Sequence, residues 1–218
     1  MEIKKLSKIQ HEVLVGTLLG DACLTPNKSK TKYKLSILQS LAHKEYVLHL
    51  YELFKEFVIT PPKEYVFTDK RFPGKVYTRW YFNTTFQTCF KVYGDQFYCN
   101  NKKIVPKRIY NWLTPRAIAY WYMDDGAQKW KNRCLGVRFC TDSFSKSQVE
   151  VLISILERNY NLKCSTQKKQ DNFRIYISSK SHTVLTKLIF HFIIPSMLYK
   201  FPSTVNVDFL KYSKNLLK

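Results

Sequence analysis

The pattern of apolar and polar positions contains two similar segments. Residues 14–22 and 118–126 are each an apolar stretch with helical spacing that ends in an acidic residue followed by a small one. The acidic residues are Asp21 and Asp125, and the small residues after them are Ala22 and Gly126. This repeat predicts two related helices, one in each half of the chain.

Strand and helix patterns follow each segment in a similar order. The first half has a turn composition at 25–29, an alternating strand at 30–37, an apolar helical stripe at 43–58, a hairpin at 64–68 and 75–84, and a helix at 86–97. The second half has a hairpin reaching 133–141, helices at 147–160 and 182–193, and strands at 162–169 and 172–178. We therefore predict an α+β fold of two pseudo-symmetric αββαββα halves, residues 1–113 and 114–218, each with a four-stranded antiparallel sheet and joined through the two packed motif helices.

The strand patterns place cations, phenols and amides on one face of each sheet. In 75–83, the side chains at odd positions are polar or phenolic and those at even positions are largely apolar. One such strand is typical of an ordinary solvated sheet face, but basic alternating strands in both halves favour a surface that faces DNA. The residues predicted to bind DNA are Lys30, Lys32, Lys34, Lys75, Tyr77, Arg79, Tyr81, Asn83, Arg138, Lys163, Gln167, Lys169, Asn172, Arg174 and Tyr176.

Composition agrees with a polyanionic partner. The formal net charge is +20 over 218 residues, and 45% of the residues are hydrophobic, which favours a folded core and a basic surface. The alternative is that the positive charge serves only to keep the protein in solution. The six cysteines form no C-x-x-C pair and have no zinc spacing with the histidines, which indicates reduced thiols in an intracellular protein. Neither a signal-peptide core nor a membrane-spanning run is expected.

The two motif helices have features that indicate close packing. Gly16 and Gly20 lie four residues apart on one helical face, where a glycine normally costs stability and is therefore expected to allow a second backbone to approach. Tyr120 and Asp124 occupy the corresponding positions of the second motif. Parallel packing would bring Asp21 and Asp125 together at two helix C-termini, where a divalent cation would neutralise them.

These segments resemble the paired motifs of LAGLIDADG homing endonucleases, in the single-chain, two-motif (I-SceI-like) branch. The resemblance rests on residues 15–22 and 119–126, with further similarity at 100–106, 113–115 and 197–202, and it extends over about residues 10–205. Tyr120, Trp121 and Asp124 depart from the motif because they are bulkier or more polar than its name implies.

The resemblance implies a DNA-binding saddle and double-strand cleavage with Mg²⁺ (or Mn²⁺) at an intron-insertion site, by a monomer that recognises a long site in double-stranded DNA. Asp21 and Asp125 would each hold metal and serve one strand, with the carbonyls of Gly20 and Asp124 as further ligands.

Lys103 and Lys200 are the expected cations near the scissile phosphates, with Lys102 as a competitor of Lys103. Gln39 and Asp142, which end equivalent strands, would order water or ligate metal. An organelle, mitochondrion or chloroplast, is the expected location.

Three alternatives remain at this point. Members of the family act as intron RNA maturases, and the same basic sheets would hold folded RNA. A catalytically inactive ribonucleoprotein subunit and a sequence-specific DNA-binding regulator are further alternatives, although the presence of both acids argues against them.

Overall fold

A computed structural model describes residues 4–130 and 134–201. The first half begins with the motif helix α1 (Lys8–Leu19), whose Ser7 cap exchanges two hydrogen bonds with Gln10, of 3.1 Å and 2.9 Å, in a capping box. The following elements are β1 (Cys23–Pro26), β2 (Tyr33–Ser40), α2 (Lys44–Phe54), β3 (Lys63–Thr68), β4 (Val76–Asn83), α3 (Lys91–Phe97), the short pair β5 (Tyr98–Cys99) and β6 (Lys102–Lys103), and α4 (Ile109–Trp112).

The second half begins with the other motif helix, α5 (Pro115–Asp125). Thr114 caps it and Pro115 occupies its first turn, where the missing N–H of proline costs nothing. The remaining elements are β7 (Gly126–Gln128), β8 (Val137–Phe139), α6 (Lys146–Tyr160), β9 (Cys164–Lys169), β10 (Asn172–Ile177) and α7 (His182–Ile189), followed by 3₁₀ turns at Phe190–Phe192 and Pro195–Lys200.

The two halves have the same sheet topology. The first sheet has the strand order β1-β2-β4-β3, the second has β7-β8-β10-β9, and all neighbouring strands are antiparallel. The predicted α+β fold with two four-stranded sheets is therefore confirmed. The predicted division after residue 113 would fall between α4 and α5, and it stays a prediction.

The main difference from the predicted strands lies between β1 and β2. Residues 25–26, predicted as a turn, end β1, whereas Lys30 and Lys32, predicted to lie on a strand, belong to the connecting turn. The Asn27 side chain closes this turn by accepting hydrogen bonds from the backbone N–H groups of Thr31 and Lys32, and Lys30 adopts a left-handed φ of 54°. Consequently Lys34 alone of the three lysines lies on β2.

Smaller corrections concern element ends. Lys75 lies in the turn before β4 and Lys163 just before β9, so neither is a strand residue. The helices predicted at 43–58, 86–97 and 182–193 each include 3₁₀ turns, at Leu41–His43, Lys55–Phe57, Thr88–Phe90 and Phe190–Phe192. Arg133, at the start of the predicted hairpin strand 133–141, and Pro202, at the end of the segment 197–202, lie outside the described residues.

The two motif helices pack in parallel, and their backbones approach each other closely, as the glycines predict. A side chain placed on Gly16 would clash with the Ala117 carbonyl and come within 2.9 Å of the Tyr120 Cβ, and one placed on Gly20 would clash with Asp124. Near the N-terminal ends, Arg116 donates a 3.0 Å hydrogen bond to Glu12. The glycines are therefore needed for the approach of the two backbones.

Each sheet packs one face on the helices and presents the other outward. On β2, Tyr33, Leu35, Ile37 and Gln39 are buried, while the alternate residues are exposed or half-buried. In the second half, Ile175 and Ile177 are buried on β10 between less buried neighbours. Across both described segments, no helix is long and apolar enough to span a membrane.

Candidate active site and nucleic-acid interface

The C-terminal ends of the two motif helices bring their carboxylates together. The backbone N–H of Asp21 donates a 3.1 Å hydrogen bond to the Asp124 carboxylate. The Gln39 side-chain amide donates to both acids, at 2.9 Å to Asp21 and 3.2 Å to Asp124. Two residues that are 103 positions apart in sequence are thus direct neighbours.

The hydrogen-bonded neighbour of Asp21 is thus Asp124, and Asp125, the predicted partner of Asp21, belongs to the same electrostatic cluster. Burial raises the pKa of Asp125 to about 7, with a further upward contribution from the negative charge of Asp21. The pKa of Asp124 is raised well above its ordinary range, first by burial and then by the charges of Asp21 and Asp125. Carboxylates that destabilise one another in this way are stabilised by a bound cation.

Two lysines cap the carbonyl ends of the motif helices. The Lys103 ammonium donates to the carbonyl oxygens of Gly20, at 2.7 Å, and Ala22, at 2.9 Å. The Lys200 ammonium donates to those of Asp124, at 2.8 Å, and Tyr122, at 3.4 Å. A cation at a helix C-terminus interacts favourably with the helix dipole.

Burial and nearby acids act in opposite directions on these lysines. Burial lowers the pKa values of Lys103 and Lys200, and the surrounding aspartates oppose that shift.

Lys102, the competing candidate, is exposed, and it is Lys103 that reaches the carbonyls at the end of the first motif. The Gly20 and Asp124 carbonyls predicted as metal ligands each accept a lysine bond here, which leaves a second lone pair on each oxygen.

Gln39 lies on β2, whereas Asp142 lies in the turn three residues after the end of β8, so the prediction that both end equivalent strands is wrong for Asp142. Gln39 reaches the acids, whereas both oxygens of Asp142 accept hydrogen bonds from the Arg174 guanidinium, one of them at 2.6 Å. This pairing lowers the pKa of Asp142. The Arg174 side chain is 11% exposed, so the predicted DNA contact Arg174 is already engaged within the second sheet.

His43, Tyr199 and Tyr46 also lie at this site, although the sequence did not predict them. The Nδ1 of His43 lies 3.1 Å from the Gln39 Oε1, and its Nε2 lies 2.8 Å from the Tyr199 hydroxyl. The buried Tyr46 phenol has a pKa raised well above its usual range by burial and by the charge of Asp124. The sequence held one local indication of the role of His43. A histidine four residues after Gln39 can lie beside the Gln39 side chain where a strand leads into a helix.

The protein does not supply a complete metal shell in the part of the chain that the structure describes. No group of three or more His, Cys, Asp or Glu side chains is arranged there to hold a metal ion. The donors near the cluster are carboxylate and carbonyl oxygens. These are hard ligands that suit Mg²⁺, an ion that keeps several waters and binds substrate phosphates.

The outward face of the first sheet has an aromatic surface. The β3–β4 register aligns Tyr65 with Arg79 and Phe67 with Tyr77. Phe67 stacks on Tyr77 with ring centroids 5.4 Å apart, and the Arg79 guanidinium lies 4.4 Å above the Phe67 ring. The predicted contacts Tyr77, Arg79, Tyr81 and Asn83 share this face with Lys34, while Tyr65 and Phe67 were missed.

The outward face of the second sheet is polar. The register places Arg138 opposite Tyr176, Gln167 opposite Arg174, and Lys169 opposite Asn172. These six of the seven predicted residues thus share one face, and Lys163 precedes β9. The Lys129 ammonium, which was not predicted, lies 4.4 Å from the Tyr176 ring centre. Hydrogen-bonding and cationic side chains therefore dominate this face.

Comparisons with known proteins agree with this arrangement. The model of the LAGLIDADG DNA endonuclease family matches residues 11–185. The chain belongs to this family. The LAGLIDADG chain is 36% identical over 201 residues to the Probable intron-encoded endonuclease 1 of Wickerhamomyces canadensis, an alignment that covers 89% of the chain and 84% of that protein.

Two further similarities bear on the function of this LAGLIDADG chain. It is 32% identical over 202 residues to the Cytochrome b mRNA maturase bI2 of Debaryomyces hansenii, which covers 90% of the chain and 75% of the maturase. Its fold matches the homing endonuclease I-WcaI bound to its DNA recognition sequence with a TM-score of 0.85 and 33% identity, over 90% of this chain and 87% of that one.

Proposed function

We propose that this LAGLIDADG protein is a sequence-specific homing endonuclease that makes a metal-dependent double-strand break in DNA at an intron-insertion site. The observation that supports this most directly is the meeting of Asp21 and Asp124 at the ends of two packed helices, with Asp125 in the same electrostatic cluster. Similarity to an intron-encoded endonuclease and to I-WcaI agrees with it.

Mg²⁺ is the metal we propose, held by the carboxylates of Asp21 and Asp125 with the carbonyls of Gly20 and Asp124 as additional donors. The raised pKa values of Asp124 and Asp125 agree with this, because burial and the charge of Asp21 make ionised carboxylates costly there and a bound cation would offset that cost. A bound divalent ion would activate water and stabilise the leaving oxygen of a phosphodiester. Because fewer than three His, Cys, Asp or Glu side chains converge on a metal position in the described residues, water and phosphate oxygens would complete the coordination.

The surrounding side chains have separate proposed roles. Lys103 and Lys200 hold positive charge beside the carboxylates, where it favours approach of a scissile phosphate. Gln39 orients the Asp21 carboxylate through its 2.9 Å hydrogen bond. Asp142, the other residue proposed to order water, is held by Arg174, and its role in this proposal is to fix that arginine within the second sheet.

The sheet faces are the proposed DNA-binding surface. Residues 1–113 and 114–218 would each bind one half of a long site through the outward strands, so a monomer is sufficient for two unlike half-sites. The aromatic and cationic first face and the polar second face have the chemistry that contacts base edges and phosphates in the major groove. Lys30, Lys32, Lys75 and Lys163, which lie outside the strands, are proposed phosphate contacts.

An RNA maturase is the second candidate. The maturase relative aligns over 90% of the chain, and exposed aromatic side chains such as Tyr65 suit stacking on unpaired bases. Both activities would belong to an intron-encoded protein, and we propose a mitochondrial or chloroplast location on that basis.

A cleavage assay tests the proposal. Purified protein would be incubated with Mg²⁺ and a library of candidate intron-insertion sites, and the cut ends would be mapped, with EDTA as the control. We expect one long site to be cut on both strands only when metal is present. A parallel splicing assay on precursor RNA would favour the maturase if splicing is stimulated and no DNA is cut.

A further inference from the structure

His43 connects the active site to the opposite half of the molecule. Its imidazole lies between the Gln39 amide oxygen, 3.1 Å from Nδ1, and the Tyr199 hydroxyl, 2.8 Å from Nε2. The His43 and Tyr199 rings are also stacked, with centroids 6.2 Å apart at 25°. Tyr199 is 156 residues away and immediately precedes Lys200.

The hydrogen-bond chemistry assigns one orientation to each group. Carboxylates accept, so the Gln39 NH₂ group faces Asp21 and Asp124, and its oxygen faces His43. The imidazole must then donate from Nδ1, which leaves Nε2 to accept from the Tyr199 hydroxyl. Burial, together with the charge of Lys200, lowers the pKa of His43, which agrees with a neutral ring in this tautomer.

This arrangement has no equivalent in the second half among the described residues. Asp142, which the sequence predicts as the counterpart of Gln39, lies in the turn after β8 and is fixed by two hydrogen bonds from Arg174. A direct ion pair thus holds Asp142, whereas Gln39 depends on a histidine and on a tyrosine from the opposite half.

We propose that His43 is a positioning residue that orients Gln39 toward Asp21, and that its effect falls on the cleavage of one DNA strand more than the other. The inference rests on the proposed nuclease function, in which Asp21 and Asp125 serve different strands. Loss of the imidazole frees the Gln39 amide to rotate, so the Asp21 carboxylate loses a fixed hydrogen-bond donor, while the Asp125 side of the site retains Asp142 and Arg174.

The test measures each strand separately. A cognate duplex with a different label on each strand would be cut under single-turnover conditions with Mg²⁺ by the wild type, His43→Ala and His43→Asn. The asparagine side chain of the last variant retains an N–H donor near the former Nδ1. For His43→Ala we expect roughly 10-fold slower cutting of one strand, accumulation of a nicked duplex and unchanged DNA affinity. His43→Asn should restore most of the rate.

His49→Ala is the matched control, because His49 also lies on α2 and also bonds a tyrosine of the other half, at 2.6 Å from the Tyr120 hydroxyl. It should change both strand rates by the same factor. Tyr199→Phe provides a second variant that preserves folding, since Tyr199 is 57% exposed, and it should give a weaker bias toward the same strand.

Equal slowing of both strands by His43→Ala, or wild-type rates on both, would overturn the positioning role while leaving the nuclease assignment intact. Failure of the wild-type protein to cut any duplex would instead overturn the proposed function, and the role of His43 with it.

Discussion

Gly20 at the end of the first motif helix lies directly against Asp124 of the second, leaving no space for a side chain on the glycine. Gly16 and Tyr120 make the same kind of contact one turn earlier, and Glu12 pairs with Arg116, 104 residues away, near the start of both helices. Residues at equivalent positions of the two sequence motifs are therefore the residues that contact each other between the two helices. It is this register that delivers the backbone N–H of Asp21 to the Asp124 carboxylate.

A larger residue at Gly16 should disturb that register. We expect Gly16→Val to lower the free energy of unfolding by about 1–3 kcal/mol, because the new side chain would clash with the Ala117 carbonyl and crowd Tyr120. Thermal or urea unfolding would measure the loss. Gly74→Asn is the control, since Gly74 has a φ of 81° that asparagine tolerates and has no atom near its Cβ position. Equal stability of the two variants would contradict the packing account.

Substitution of Lys103 should slow DNA cleavage far more than substitution of the neighbouring Lys102. We expect Lys103→Met to reduce single-turnover cleavage roughly 100-fold, because the ammonium that caps the Gly20 and Ala22 carbonyls beside the acids is lost. Lys102→Met, at an exposed position, should cut within a few-fold of the wild-type rate. Cleavage by Lys103→Met at the wild-type rate would remove this lysine from the catalytic proposal.

Acid should destabilise the fold through His49. Burial lowers its pKa below the ordinary value of 6.5, so the unfolded chain binds more protons as the pH falls below that value. The stabilising contribution of neutral His49 is present above pH 6.5 and is lost as the pH falls toward its folded-state pKa. The Tm difference between the wild type and His49→Gln should therefore shrink between about pH 7.5 and about pH 5.5. A difference that stays constant or grows would show that His49 does not titrate in this way.

DNA affinity should fall steeply with salt. Phosphate contacts by lysine and arginine release counterions, so the logarithm of the binding constant should decrease linearly with the logarithm of the salt concentration. Arg79→Ala, on the outward face of the first sheet, should make that slope shallower by about 1. Lys146→Ala, on a helix and paired with Glu150, should leave it unchanged. A flat response in the wild-type protein would argue against a broad phosphate footprint.

The sequence predicted the features that depend on periodicity and composition. The small residues at Gly16 and Gly20, the acids that follow, and the alternation along β2, β4 and β10 were sufficient to predict two packed helices and two outward sheet faces. A resemblance in the motif flanks then indicated Lys103, which the structure places at the Gly20 carbonyl.

Pairings between distant side chains were not predictable in the same way. The contact of His43 with Tyr199 and that of Asp142 with Arg174 depend on how the segments after β2 and β8 meet elements far away in sequence, and no local period encodes them. The turn before β2 was missed for a different reason. Lysines at alternate positions imitate a strand, whereas the Asn27 side chain closes a turn.

The most direct test of the account compares DNA binding and cleavage in Asp21→Asn and Asp125→Asn. In Mg²⁺, we expect both variants to bind the cognate duplex with nearly wild-type affinity and to make no double-strand break, while Asp171→Asn, at an exposed acid, cuts normally. Full double-strand cleavage by either motif variant would contradict the claim that these two carboxylates form the metal-dependent active site.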